Sequence, residues 1–538
     1  MAVKTSVLIV GGSLNGLTTA LLLAHRHVPC VVVERHPKTA VQYKFRGISP
    51  RSMEIYRSVG VEHDIRRCDP IDERSAQVAR MKNLSDGEIT WQGVPWADTS
   101  DIGSTTAGVC DQDLLEPILK THAERHGADV QFNTELVSFE QDANGVTGVI
   151  RNRDTGTENS VSAAYLVAAD GTNGTVRDVL GIARHGPGVL QHWMNVIFDT
   201  DLEPTLDGRA IRSAFVTDIN GTFVPRAGGR WLMAVQYVPE RGERPEDFTD
   251  AHCAELIRRG AGRPNVKVEI VDARPWDATA LVADRYREGR AFLLGDTAHV
   301  MPPTGGFGGN TGIQDAYNIA WKLDAVLHQH AGDGLLDTYD VERRPVAERT
   351  MAQALARLQA WFKDPSKGLP PAEPIVDDYH VMFGYRYFAG AFIPDQDEAS
   401  SEMFFEDPRK PSGRSGSRAP QLILEREGTR VSTIDLFNQH WVLVVGPGGT
   451  GWHDAARRLA SQTPFPLQVF RAGPDGDLHD VADRWSAVYG VTRDGAALVR
   501  PDGFIAWRAR TSVADPDVVL RSVFDRLSFK ESAIPGRS

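Results

Sequence analysis

Residues 11–16 read GGSLNG, directly after the β-rich run Val3 to Val10 and directly before the helical pattern Leu17 to His27. With a second buried-strand run at Val31 to Glu34, this segment is a βαβ unit. Glycine at such a turn lets backbone N–H groups approach a pyrophosphate at a helix N-terminus, where the dipole favours negative charge. The dinucleotide pattern is G-x-G-x-x-G; Gly11 and Gly16 keep its outer positions and Ser13 stands in the middle one. Glu34 closes the second strand about 20 residues downstream, where a carboxylate accepts from ribose hydroxyls.

Two later segments repeat the strand-turn-helix order. Asp170 and Gly171, in YLVAADGTNGTVRDVLGI, follow a buried strand; read alone they are an N-cap and a turn glycine. Residues 289–327, GRAFLLGDTAHVMPPTGGFGGNTGIQDAYNIAWKLDAVL, deliver Gly295 and Asp296 from a short strand, then a loop with five glycines from Gly305 to Gly312. A long helical pattern begins near Gly312, and its free N–H groups can hold a flavin's pyrimidine edge, where negative charge develops on reduction. His299 in this stretch reads as structural rather than as a base.

The rest of the chain surrounds these turns. A helix begins near Asp113, and strands are expected at Thr134 to Phe139, Val146 to Ile150, Val161 to Ala168 and Ala291 to Leu294. From about 180 to 280 apolar and polar residues alternate, as in Asn195 to Asp199, Arg212 to Thr217 and Trp231 to Tyr237, which predicts an antiparallel sheet with one wet face. Its Trp193, Phe198, Phe215, Phe223, Trp231 and Tyr237 offer apolar surface for a flat multi-ring ligand, with core packing the alternative for about half of such residues. Residues 408–420, DPRKPSGRSGSRAP within their flanks, read as a linker, and a small α/β domain follows, with strands at Trp441 to Val445, Leu467 to Phe470 and Ala497 to Val499 and helices at His453 to Ala460 and Val518 to Leu527.

Composition excludes several classes. The formal net charge of -12 opposes a nucleic-acid footprint. Cys30, Cys68, Cys110 and Cys253 form no CxxC pair, and the histidines form no HExxH, so neither a disulfide scaffold nor a metal centre is expected and a reducing cytoplasm fits. The run Val7 to Val10 falls far short of the roughly 18 residues a membrane span needs. A hydrolase elbow, G-x-S-x-G, is missing.

The three turns, in this order, resemble the class A FAD-dependent aromatic hydroxylases, the single-component flavoprotein monooxygenases, over about residues 1–345. The resemblance implies an α/β fold: a Rossmann-like FAD-binding domain of the 4-hydroxybenzoate hydroxylase type at 1–180 and 281–400, a substrate-binding sheet domain at 181–280, and a thioredoxin-like domain without CxxC at 415–538. It further implies FAD held by Gly11, Ser13, Gly16, Glu34, Arg35, Arg46, Gln112, Asp170, Gly171, Gly295, Asp296, Pro302, Gly308, Gly309, Asn310 and Thr311, with Gly174 where the family often has serine. NAD(P)H, NADPH favoured, is implied as a transient co-substrate, since no second dinucleotide fold is visible. ERGERPEDFT at 240–249 and GYRY at 384–387 look like segments of the aklavinone-11-hydroxylase type of anthracycline hydroxylase. This implies hydroxylation of a polycyclic aromatic polyketide phenol by O2 through a flavin C4a-hydroperoxide, with Arg386 orienting the substrate and Pro302 beside the flavin. Baeyer–Villiger insertion is the neighbouring alternative, and a flavin-binding protein without turnover the alternative from another class. A monomer or homodimer is expected.

Overall fold

The computed structural model describes residues 3–40, 44–68, 77–85, 87–92, 98–203, 205–206, 208–226, 229–362, 372–395, 403–463, 465–480 and 484–530. At its centre a sheet runs in the order Arg287–Glu288, Ala291–Leu293, Tyr165–Ala168, Val7–Val10, Cys30–Glu34, Asp129–Phe132. From Ala291–Leu293 onward the neighbours are parallel, and the VLIV and CVVVE runs are buried throughout, as expected of strands covered on both faces. Three adjacent strands, Val7–Val10, Tyr165–Ala168 and Ala291–Leu293, therefore end side by side, and their turns carry Gly11, Asp170 and Gly295 to one edge. Parallel pairing thus brings together three motifs that lie far apart in sequence.

Two apolar runs that read as single strands each serve two sheets. Val3–Lys4 pairs with Glu158–Ala163 in a small side sheet, and the chain crosses to the central sheet only at Val7–Val10. Val161 to Ala168 breaks in the same way at Ala164, because its halves pair with different partners. The glycine-rich helix also starts earlier than its sequence suggests, running Phe307–Leu327 from an N-cap Gly306 in the left-handed region. Glycines penalise a helix interior, so the pattern points to a later start; here they are required by close packing, since a Cβ on Gly309 would overlap the Phe45 ring and one on Gly312 the Asn15 amide.

The second sheet is ordered His299–Val300, Val268–Ala283, Arg184–Thr200, Arg230–Tyr237, Gly221–Pro225, Arg209–Val216, Gln77–Met81, Thr90–Gln92. It is antiparallel apart from the parallel pairing of Arg209–Val216 with Gln77–Met81, so it takes in strands from well before residue 181. Its register sorts the six aromatic residues proposed for the substrate wall. Phe198, Phe223, Trp231 and Tyr237 lie on the back: the first three join the core against helix Asp250–Ala261, and Tyr237 meets Phe248 just before it. Only Trp193 and Phe215 face forward, toward the helix Gly334–Phe362, whose Trp361 meets Phe215 edge-on. Alternation shows which residues share a face but not which face holds the core, and α-helical cover on the back decides it.

The C-terminal segment forms a mixed sheet ordered Thr429–Ser432, Ile423–Arg426, Leu478–His479, Leu467–Gly473, Trp441–Val445, Ala496–Val499, Ile505–Ala509, with helices Thr450–Gln462 and Pro516–Leu527. One of its faces packs on helix Phe307–Leu327, with Trp321 edge-on to Trp441. The segment before it, expected to be a linker, is instead a buried strap over its second half, Ser415 to Pro420. The Gly416 N–H donates to the Ile505 carbonyl and the Ala419 N–H to that of Gly503, while Arg418 donates to Glu54 at 2.6 Å. Ser415, Ser417 and Arg418 are paired inside the molecule, which composition alone cannot reveal.

Candidate active site

The first turn is built for close approach. Gly11 has φ +104°, a Cβ there would overlap the Ala169 carbonyl, and one on Gly16 would overlap the Gly11 carbonyl. Helix Leu14–His25 therefore begins hard against the strand end. Glu34 Oε2 accepts from the Gly12 N–H at 2.7 Å and Oε1 from the His36 N–H at 2.8 Å, which fixes the carboxylate at the rim of the turn. Arg35 beside it is exposed, and its carbonyl accepts from Arg153.

Ser13 occupies its motif position for a visible reason. Its hydroxyl donates to Glu116 Oε1 at 2.5 Å, and the same oxygen accepts from the Leu14 N–H and from Gln112 Nε2 at 2.7 Å. Glu116 is wholly buried, and its other oxygen takes the Ala40 N–H. Sequence reasoning named Gln112 and missed Glu116; the signal was their i, i+4 spacing on one helix, Gln112–Arg125. Arg46 donates from Nη1 to the Pro225 carbonyl at 2.5 Å and lies 3.7 Å from Asp111, which also pairs with Arg226 at 3.1 Å. This ladder fastens the second sheet to the start of helix Gln112–Arg125, whose Gln112 and Glu116 hold Ser13.

Asp170 and Gly171 meet the third motif through Thr297. The Thr297 hydroxyl accepts from the Gly171 N–H at 2.9 Å and donates to Asp170 Oδ1 at 3.1 Å. Asp170 Oδ2 accepts from the Val176 N–H, and a Cβ at Gly174 would overlap the Asp170 carboxyl, so glycine there makes room for this cap. Burial raises the Asp170 pKa, with the Val176 and Thr297 bonds opposing. Gly295 (φ +54°) backs onto Asn15, another residue not foreseen from sequence. Asp296 is exposed and has no hydrogen bond or ion pair among the described residues.

Behind this rim, His299 is buried with Nε2 2.7 Å from Asp315, and Asp315 also takes Arg343 at 2.8 Å. Burial acts to raise the Asp315 pKa, but Arg343 and His299 hold it below the ordinary carboxylate range. The histidine is thus a structural partner. Pro302 is buried at the start of the loop. Gly308 to Thr311 form the first helical turn: Asn310 Oδ1 accepts from the Ser49 N–H, its Nδ2 donates to the Gly47 and Gly306 carbonyls, and Thr311 Oγ1 donates to the Phe307 carbonyl. Arg386 makes none of these contacts: its Nε is 3.1 Å from Glu406, its guanidinium lies over the Phe388 ring, and Nη1 is buried without a hydrogen-bond partner among the described residues.

The arrangement fits an extended dinucleotide. The Ser13, Asn15 and Gly16 N–H groups have no acceptor among the described residues, Asn15 Oδ1 is buried without a partner, and the Asp296 carboxylate stands open. Donors meet at the helix start and acceptors lie to either side, the pattern a pyrophosphate between two sugar-like chains requires.

Residues 4–354 match the family model described as FAD binding domain, and residues 412–526 match the one described as aromatic-ring hydroxylase, C-terminal. The chain belongs to the FAD-binding aromatic-ring hydroxylases and is an FAD-dependent monooxygenase. It is 39% identical to aklavinone 12-hydroxylase RdmE of Streptomyces purpurascens, covering 97% of this chain and 99% of that protein. It is 39% identical to tetracenomycin A2 monooxygenase-dioxygenase of Streptomyces glaucescens, covering 99% and 98%. The crystal structure of aklavinone-11 hydroxylase with FAD and aklavinone superposes with a TM-score of 0.92 at 37% identity, covering 98% of this chain and all 100% of that one. No helix among the described residues is long and apolar enough to cross a membrane, and no cluster of three metal-ligating side chains occurs among them.

Proposed function

We propose that this chain hydroxylates a polycyclic aromatic phenol of the polyketide type, with FAD, NAD(P)H and O2. The observation that carries the reading is the forward face of the second sheet. There Trp193 stacks on Trp276 at 6.0 Å, Trp276 donates to Asn195 Oδ1 at 2.7 Å, and Phe215 lies under Arg80. Flat aromatic walls with a few fixed polar groups suit a multi-ring ligand better than a single small ring. Relatives named for aklavinone and tetracenomycin, and a Streptomyces halstedii protein with the provisional name polyketide hydroxylase at 42% identity, support the same substrate class.

When bound, FAD would supply the redox chemistry, with two electrons from NAD(P)H and activation of O2, so that one oxygen atom goes to the ring and the other to water. The chain's own residues bind and orient. The Ser13, Asn15 and Gly16 amides at the helix start take the pyrophosphate, Glu34 a ribose, Asp296 the ribityl hydroxyls, and the loop from Pro302 through Gly308, Gly309, Asn310 and Thr311 the ring edge. Gln112 acts indirectly, by holding Ser13 and Glu116. Arg386 is assigned to a phenolate or quinone oxygen through its unpartnered Nη1. NADPH is the favoured reductant. The C-terminal segment 415–538 is read as thioredoxin-like and structural; it contains none of the four cysteines and so no dithiol.

The test is NAD(P)H oxidation with an anthracyclinone or angucyclinone and with 4-hydroxybenzoate. Stimulation by the polycycle is expected. Turnover of 4-hydroxybenzoate alone contradicts the substrate class, and Arg386→Ala with unchanged kinetics removes that residue from the site.

A further inference from the structure

The turn Arg500 to Gly503 of the C-terminal segment plugs into the helix that begins with the flavin loop. Arg500 grips Glu342 with two bonds, 2.7 and 2.9 Å, and donates from Nε to Asp502 at 2.9 Å. Asn318 and Lys322, on helix Phe307–Leu327, each donate to Glu342 Oε2 at 2.8 Å, and Asn318 also reaches Asp502 at 3.3 Å. The Tyr317 hydroxyl donates to the Pro501 carbonyl at 3.1 Å, and Arg51 to the Asp502 carbonyl at 2.7 Å. Every one of these side chains is buried.

Both supports of the flavin loop converge on this turn. The helix holding Asn318 and Lys322 starts with Gly308 to Thr311, and the helix holding Arg51 follows Ser49, whose N–H donates to Asn310. An apolar turn would fill the same space at no greater cost, because burying charges consumes most of what their pairing returns. Directed bonds add something apolar contact does not: they fix the helix in one axial position, and with it the amides at its start.

We propose that Arg500 is a positioning residue for the flavin loop, acting from the C-terminal segment through Glu342 and Asn318. The inference rests on the assignment of residues 302–311 to the flavin made above.

The test compares wild type with Arg500→Met, and with Arg500→Met/Asp502→Asn, which removes one positive and one negative charge together. Three quantities are read: the FAD dissociation constant, the visible flavin spectrum, and the melting temperatures of the apo and FAD-loaded protein. FAD binding about tenfold weaker is expected, a usual strength for coupling between sites, with a shifted flavin band and a smaller gap between the two melting temperatures. A purely structural role lowers both melting temperatures in parallel at unchanged FAD affinity, and that result overturns the proposal. Should both variants fail to fold, Tyr317→Phe removes a single hydroxyl; about threefold weaker FAD binding is expected from one lost hydrogen bond, and unchanged binding overturns the proposal. Asn310→Ala separates the two readings without substrate. Unchanged FAD affinity in that variant removes the loop assignment and this inference with it; weakened affinity there, but not in the Arg500 variants, removes this inference alone.

Discussion

Asp296 and Asp502 both sit in tight turns after buried strands, and their carboxylates have opposite fates. Asp296 is exposed and without a partner among the described residues, whereas Asp502 is 2% exposed and held by Arg500 and Asn318. The sheet around each turn accounts for the difference. Asp296 leaves the end of Ala291–Leu293, which pairs in parallel with Tyr165–Ala168 and through it with Val7–Val10, the strands that bring Asp170 and Gly11 to the same edge. Asp502 closes a hairpin between the antiparallel strands Ala496–Val499 and Ile505–Ala509, pressed into a helix of the other region. An aspartate beside a turn glycine is thus left open at the surface or locked inside according to what packs beside its strand.

Substitution at the two positions should separate stability from cofactor binding. Asp502→Ala leaves Arg500 buried with half its anionic partners gone, so a loss of about 3–5 kcal/mol in denaturant unfolding is expected. An acid titration should expose the same lock. Burial acts to raise the Glu342 pKa, but Arg500 and Lys322 reverse this and hold it at about 2, against an ordinary 4.5. The folded value is the lower one, so the stabilisation is complete above pH 4.5 and is lost as pH falls toward 2, about 3 kcal/mol in all. For Lys322 burial, with Arg500 adding to it, outweighs Glu342 and Asp502 and pulls the pKa down to about 8, so it does not share the gain. Stability of Glu342→Gln should therefore depend less on pH across that window than stability of the wild type.

A smaller effect of a different kind is expected at the open turn. Asp296→Ala should leave apo-protein unfolding within about 0.5 kcal/mol of wild type, as for an exposed position. FAD binding should weaken by roughly 1.5 to 3 kcal/mol, the value of a charged hydrogen-bond acceptor. Equilibrium dialysis of FAD and denaturant unfolding of the apo-protein measure the two halves. A large stability loss at Asp296, or none at Asp502, would erase the contrast.

The turns were legible in sequence because glycine, aspartate and strand hydrophobicity are local signals. Gly11, Gly16, Asp170, Gly295 and Asp296 announce themselves within a few residues of a buried run. What escaped depends on distant partners. Glu116 looks like an ordinary surface acid until Ser13 and Ala40 close on it, and Arg418 lies in a stretch whose composition says linker while Glu54 buries it. The aromatic residues of the second sheet are legible as apolar, but alternation does not say which of them are core: Phe198, Phe223, Trp231 and Tyr237 turn to the back because the helix that covers that face, Asp250–Ala261, lies some residues away.

The central claim is that this chain uses FAD to place one oxygen atom of O2 on an intact polycyclic ring. The direct measurement is product analysis after incubation of the FAD-loaded protein with NADPH, a polycyclic phenol and isotopically labelled O2. The account predicts a product carrying a single labelled oxygen as a new ring hydroxyl, with all carbon–carbon bonds retained. Product whose oxygen comes from water, a ring-expanded lactone, or NADPH oxidation that never yields an oxygenated polycycle would contradict it.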